Sequence, residues 1–223
     1  MKKIIKMTGI EYKMPPYPLG FALIPEKRAL KYICGLNRRI NEAYPSEFVL
    51  KENGNLLPHV SLFHGVYAQD SMENAVETFE RICEKQRGRT TMASKGINVW
   101  ATRIFFLDVE KESLRELHEE MFHALYPLRD MSAGSTDPQA FAGLSKDEEE
   151  SLRLYKTPLV LKSFRPHFTI GRSESLDGGE YEFAKQIEKE MPPPEEIVFD
   201  RFVVFDVGKY GRLESLRCEF PLL

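Results

Sequence analysis

Apolar and polar positions along this chain follow two rhythms, and the rhythms come in the same order twice. GFALIP (20–25) is a short apolar run closed by Pro25 and predicts a strand. Ala29, Ile33, Leu36 and Ile40 then fall at helical spacing and predict an amphipathic helix over 26–44. PSEFVLKENGN follows, with a turn at Asn53-Gly54, and HVSLFHGVY (59–67) then reads as a strand. Met72, Val76, Phe79 and Cys83 form the inward stripe of a second helix, for which Asp70 and Glu73 offer a capping box. GINVWA (96–101) predicts the next strand.

The order then repeats. RIFFLDVE (103–110) is a strand, and Leu114, Leu117, Met121 and Leu125 mark a helix over 111–126. RPHFTIGR (165–172) is a strand, followed by a helix in EYEFAKQIEKEM with Phe183 and Ile187 facing inward. Two closing strands, IVFDRFVVFDV and LESLRCEFPL, join across a hairpin turn at Gly208–Gly211. The second half carries a surplus of 25 residues, which falls in an insert at about 128–160. That insert opens with Gly, Ser, Asp and Pro and ends in an acidic stretch suited to a short helix. A loop of this length serves as a lid over a ligand or as a mobile excursion. Residues 1–18, with MPPYP, read as an N-terminal extension before a single domain over 19–223.

Composition narrows the function classes. The 223 residues are 42% hydrophobic, enough to bury a core, and the net charge is −3. Acidic and basic residues are mixed throughout, which argues against a broad basic face gripping long duplex nucleic acid through many phosphates. A local pocket for one small anion stays compatible with that charge. No run approaches a membrane span, and the N-terminal MKKIIKMTGIEYKMPPYP lacks the sustained apolar core of a signal peptide. Cys34, Cys83 and Cys218 are three in number, widely spaced and without C-x-x-C, so free buried thiols in a reducing, cytoplasmic setting are expected.

Candidate chemistry lies in a word written twice. PHVS (58–61) and PHFT (166–169) each hold a proline, a histidine, an apolar residue and a hydroxyl, 108 positions apart, although the chain has only 5 histidines. Residues two apart on a strand share a face, so His59 pairs with Ser61 and His167 with Thr169, while Val60, Leu62, Phe168 and Ile170 turn inward. If the halves pack with a pseudo-two-fold relation, the two polar pairs face each other across a cleft. A neutral and a protonated histidine then supply a base and an acid, and the hydroxyls donate to the nonbridging oxygens of a phosphate. No metal or other cofactor is required.

PHVSLFHG and FRPHFTIGR resemble the paired H-x-[ST]-x signatures of the two-histidine (2H) phosphoesterases, which include 2′–5′ RNA ligase-like proteins and cyclic nucleotide phosphodiesterases. LRCEFPLL is similar to the family's last strand, and the likeness spans about 19–223 apart from the longer 128–160 stretch. The resemblance implies an α+β, bilobal, pseudo-two-fold duplicated fold, with two antiparallel sheets facing a central cleft and helices outside. It implies catalytic roles for His59 and His167 and phosphate binding by Ser61 and Thr169, with serine where threonine is commoner. The expected activity is hydrolysis of a 2′,3′-cyclic phosphate or a 2′–5′ phosphodiester in a nucleotide or short RNA end, by a monomer without membrane attachment. A non-catalytic module of the same fold that binds a nucleotide or RNA terminus is the alternative.

Strand parity also ranks the neighbours. Arg165, Phe63 and Tyr67 share the parity of the signature residues and become candidate substrate contacts, whereas His64 and Arg172 carry the opposite parity. HEEMFH (118–123) is one residue too long for the zinc motif H-E-x-x-H, so no metal site is expected there.

Overall fold

Each apolar run becomes a strand and each helical stripe a helix. The computed structural model describes residues 16–86, 88, 90–100, 104–133, 144–173 and 178–222. Most of the proposed extension and residues 134–143 of the insert lie outside the described residues. The first half contains β1 (Tyr17–Pro25), α1 (Lys27–Ala43), β2 (Val60–Tyr67), α2 (Gln69–Lys85) and β3 (Thr90–Trp100). The second contains β4 (Ile104–Val109), α3 (Glu112–Leu125), α4 (Lys146–Tyr155), β5 (His167–Arg172), α5 (Glu180–Glu190) and β6 (Glu196–Val207), with β7 (Leu213–Pro221) closing the chain. Tyr17 and Pro18 belong to β1, two residues that the pattern left in the extension.

The strands pair antiparallel throughout, in the order β1-β2-β5-β4-β3-β6-β7, with β6 returning to β1. Two sheets share this ladder because β6 serves both. Its first residues, Glu196–Phe199, pair with β3, while Phe199–Asp206 pairs with β1 and Arg201–Val207 with β7. The sheets β2-β1-β6-β7 and β5-β4-β3 meet again at one bridge, Val60 to Phe168. The lobes are therefore not the sequence halves. Each half gives its third strand to the other, β3 beside β4 and β6 beside β1. The first helices cross as well, α1 packing on β5 and α3 on β2.

Burial explains the arrangement. On one sheet Phe21, Phe63 and Tyr67 close against Phe79 of α2 and Phe122 of α3, and on the other Phe105, Phe168 and Ile170 close under Ile33, Leu36 and Ile40 of α1. A second, smaller core holds Ala22, Ile24, Leu30, Leu57, Val203, Phe205 and Leu213. The predicted capping box of α2 does not form. The helix starts directly after β2, with Ala68 at the N-cap, and Asp70 sits inside the first turn, where its charge favours the helix N-terminus. A capping box forms in the insert instead, where Ser145 and Glu148 start α4. Cys34, Cys83 and Cys218 are all free, and no described helix is long and apolar enough to cross a membrane.

Candidate active site

Both signature histidines stand at the start of a strand, His59 just before β2 and His167 as the first residue of β5. The preceding prolines have no N–H to pair and hold φ near the extended range. Each imidazole is fixed by the carbonyl two residues back: His59 Nδ1 lies 3.0 Å from Leu57 O, and His167 Nδ1 lies 2.8 Å from Arg165 O. A carbonyl only accepts, so Nδ1 carries the proton in both rings and Nε2 is left as the working nitrogen. The Val60–Phe168 bridge sets the relative register, and continuing it antiparallel puts Thr169 beside His59 and Ser61 beside His167. Val60 and Phe168 are fully buried, while the two imidazoles and two hydroxyls line one cleft.

The electrostatics of the two rings differ. Burial pushes both below the ordinary histidine value. At His59 the Leu57 carbonyl opposes that shift and the nearby charge of His167 adds to it. At His167 the Arg165 carbonyl and the Asp108 carboxylate both favour the charged ring, and the Arg165 guanidinium opposes it. Asp108 lies opposite His167 in the ladder; its Oδ2 accepts from Asn98 at 2.8 Å and its Oδ1 is 3.4 Å from Arg165 Nε. Each ring also backs on a phenyl group, His59 on Phe205 at 4.9 Å and His167 on Phe106 at 5.4 Å between centroids.

Parity fails just beyond each hydroxyl, for one reason. Phe21 pairs with Phe63 and Ala22 with Ser61, so Leu62 is an extra residue in β2. Phe105 pairs with Gly171 and Phe106 with Thr169, so Ile170 is an extra residue in β5. These are matching β-bulges, and each reverses the alternation behind it. Phe63 therefore turns into the core edge-on to Phe122, and Tyr67 is buried with its hydroxyl on Leu125 O at 3.4 Å. Tyr67 is not a cleft aromatic, contrary to the parity expectation, whereas Phe63, though almost wholly buried, still borders the cleft. His64 and Arg172, assigned to the far face, line the cleft instead. His64 has an unpartnered Nε2, touches Phe205 and is pushed down to about 3 by burial.

The cleft has a volume of about 360 Å³. Besides the signature residues, Arg165, Arg172, Lys156 and Trp100 line it, so the far end of the insert supplies part of its wall. Arg165 reaches it as expected, with its guanidinium 4.3 Å over the Phe106 ring. Trp100 and Lys156 carried no signal in the sequence. Among the described residues no group of three or more His, Cys, Asp or Glu is placed to hold a metal ion. His118 of the HEEMFH segment is buried, with Nδ1 2.8 Å from Leu62 O and Nε2 accepting the Leu161 N–H at 2.8 Å.

No protein-family model and no curated protein matches the sequence. Solved structures do match in fold. Escherichia coli LigT complexed with 3′-AMP superposes over 92% of this chain and 98% of its own, at TM-score 0.54 and 12% identity. TT0787 of Thermus thermophilus covers 92% and 97%, at TM-score 0.56 and 14% identity. A structure described as a phosphoesterase covers 92% and 98%, at TM-score 0.50 and 11% identity. The fold is thus shared with LigT, TT0787 and that phosphoesterase, as the resemblance of the two signatures implies.

Proposed function

We propose that the cleft is the active site of a phosphodiesterase that needs no metal and hydrolyses a 2′,3′-cyclic phosphate or a 2′–5′ phosphodiester in a nucleotide or short RNA end. The observation that carries this reading is the pair of imidazoles with the same tautomer, each beside a hydroxyl, on one face of one cleft. His167 is assigned as the acid and His59 as the base because the Asp108 carboxylate stands opposite His167 in the ladder and favours the charged ring there. His59 Nε2 takes a proton from water as its oxygen attacks phosphorus, and His167 gives a proton to the departing ribose oxygen. Ser61 and Thr169 donate to the nonbridging oxygens, where negative charge grows in the transition state. Arg165, Arg172 and Lys156 supply positive charge around the phosphate in an otherwise acidic protein.

Hydrolysis of 2′,3′-cyclic nucleotides and 2′–5′ dinucleotides in EDTA, followed by phosphorus NMR, tests the proposal. Wild type turns over with a bell-shaped pH profile, and His59→Ala and His167→Ala each lose roughly 10²- to 10⁴-fold in rate. Full activity in both single variants refutes acid–base catalysis by this pair. Tight nucleotide binding with no turnover across the panel supports the alternative of a module that binds a nucleotide or RNA terminus.

A further inference from the structure

The two bulges leave two backbone carbonyls outside the strand ladder, and both are met by buried polar side chains from the opposite half. Asn37 of α1 is fully buried; its Nδ2 donates to Ile170 O at 3.0 Å and to Phe48 O at 2.9 Å, and its Oδ1 accepts the Leu50 N–H at 2.8 Å. His118 of α3 is 1% exposed and lies flat on Phe164 at 3.8 Å. Its Nε2 accepts the Leu161 N–H, so Nδ1 carries the proton and donates to Leu62 O. The two positions correspond. Ile33, Leu36, Asn37 and Ile40 on α1 have the same spacing as Leu114, Leu117, His118 and Met121 on α3.

Each side chain therefore makes a crossed tie. Asn37 joins the bulge behind His167 and Thr169 to the 48–50 segment, which runs on to His59. His118 joins the bulge behind His59 and Ser61 to Leu161, which runs on to His167 through the cleft wall. We propose that Asn37 and His118 are positioning residues that fix the spacing of the two imidazoles and hold His64 and Arg172 on the cleft face. Neither touches substrate; both act through the bulged strands. The inference rests on the acid–base reading above for its kinetic consequence, but its geometric content is independent of turnover.

Three variants separate the parts of each tie. Asn37→Asp keeps an acceptor for Leu50 N–H and has no donor for the Ile170 carbonyl. His118→Asn keeps a donor toward Leu62 and loses the acceptor for Leu161 N–H, and His118→Leu loses both. Expected for folded protein is a fall in kcat of about tenfold or more for Asn37→Asp and His118→Leu, less for His118→Asn, with KM within about threefold.

A second readout follows the imidazole nitrogens of His59 and His167 by NMR titration. His59 faces His167, His64 and the Leu57 and Gly211 backbone, and His167 faces Asp108 and Arg165. Loosened ties weaken the repulsion between the two rings, so the His59 midpoint moves up in Asn37→Asp and His118→Leu. Folded variants with unchanged kcat and unmoved histidine midpoints overturn the proposal. A wild type without turnover refutes the catalytic reading alone, and the midpoints still decide the ties.

Discussion

Gly20 offers a sharp test of how the second core supports His59. It sits in β1 directly opposite Phe205 of β6, and the phenyl ring lies over the missing side chain. A methyl group on Gly20 would stand 2.5 and 2.6 Å from Cε1 and Cε2 of Phe205, and closer still to Cζ. Carbon atoms in contact settle near about 3.5–4.0 Å, so the ring must retreat by roughly 1 Å or more. Its backbone is held on both edges, by Gly20 and by Leu216. Ala22, Ile24, Leu57 and Leu213 enclose the same small core, and the ring already meets His59 at 4.9 Å.

The strain therefore passes to the imidazole. Overpacking of this kind costs about 1–3 kcal/mol, offset by about 0.4–1 kcal/mol from the reduced freedom of alanine in the unfolded chain. Gly20→Ala is expected to be about 1–2 kcal/mol less stable in urea unfolding. It should also lose up to about 10²-fold in kcat, since an ångström of misplacement is enough for that. Adding Phe205→Leu should recover part of the stability lost to the methyl group, giving a favourable coupling in the double-mutant cycle. Stability within about 0.5 kcal/mol of wild type together with an unchanged kcat would refute the reasoning.

Two further outcomes follow from the site. Burial holds the His118 ring neutral, with its pKa lowered to about 4. A histidine depressed in the folded state is protonated first in the unfolded chain, so its contribution is intact above about pH 6.5 and lost as pH falls toward 4, on the order of 3 kcal/mol in all. Urea midpoints at pH 7 and pH 4 should therefore differ less in His118→Asn than in wild type; an equal difference in the two proteins refutes the assignment. Ser61→Ala and Thr169→Ala should each lower kcat by about 10²- to 10³-fold, while Thr169→Ser keeps most of the rate because the donor remains; a tolerated Thr169→Ala in steady-state kinetics rules out the phosphate contact.

Much of this architecture was legible because burial writes periodicity into sequence. The stripe Ile33, Leu36, Ile40 fixed α1 to within a residue at each end, and the repeated P-H-x-[ST] word located both strands of the cleft. What stayed hidden were departures from periodicity that only partner strands reveal. One extra residue, Leu62 or Ile170, reverses the alternation after it, so Tyr67 turned inward and His64 and Arg172 reached the cleft. A bulge leaves no mark in composition, because the inserted residue is as apolar as its neighbours. Strand exchange was equally silent: β3 and β6 have the pattern of buried strands whichever partner they find. Asp108 gained meaning only through the ladder that sets it opposite His167.

That exchange has a consequence for how the molecule assembles. A chain severed between Trp100 and Ile104 yields two pieces, each deprived of the strand that completes one of its sheets, so neither closes its hydrophobic interior alone. Mixed, they should reconstitute by fragment complementation. The intact chain meets the same demand in time: β1 waits for β6, which lies near the far end of the sequence, and such distant pairings raise contact order and slow folding. Neither lobe can mature ahead of the other, and the groove between them arises in the same cooperative step as the core itself.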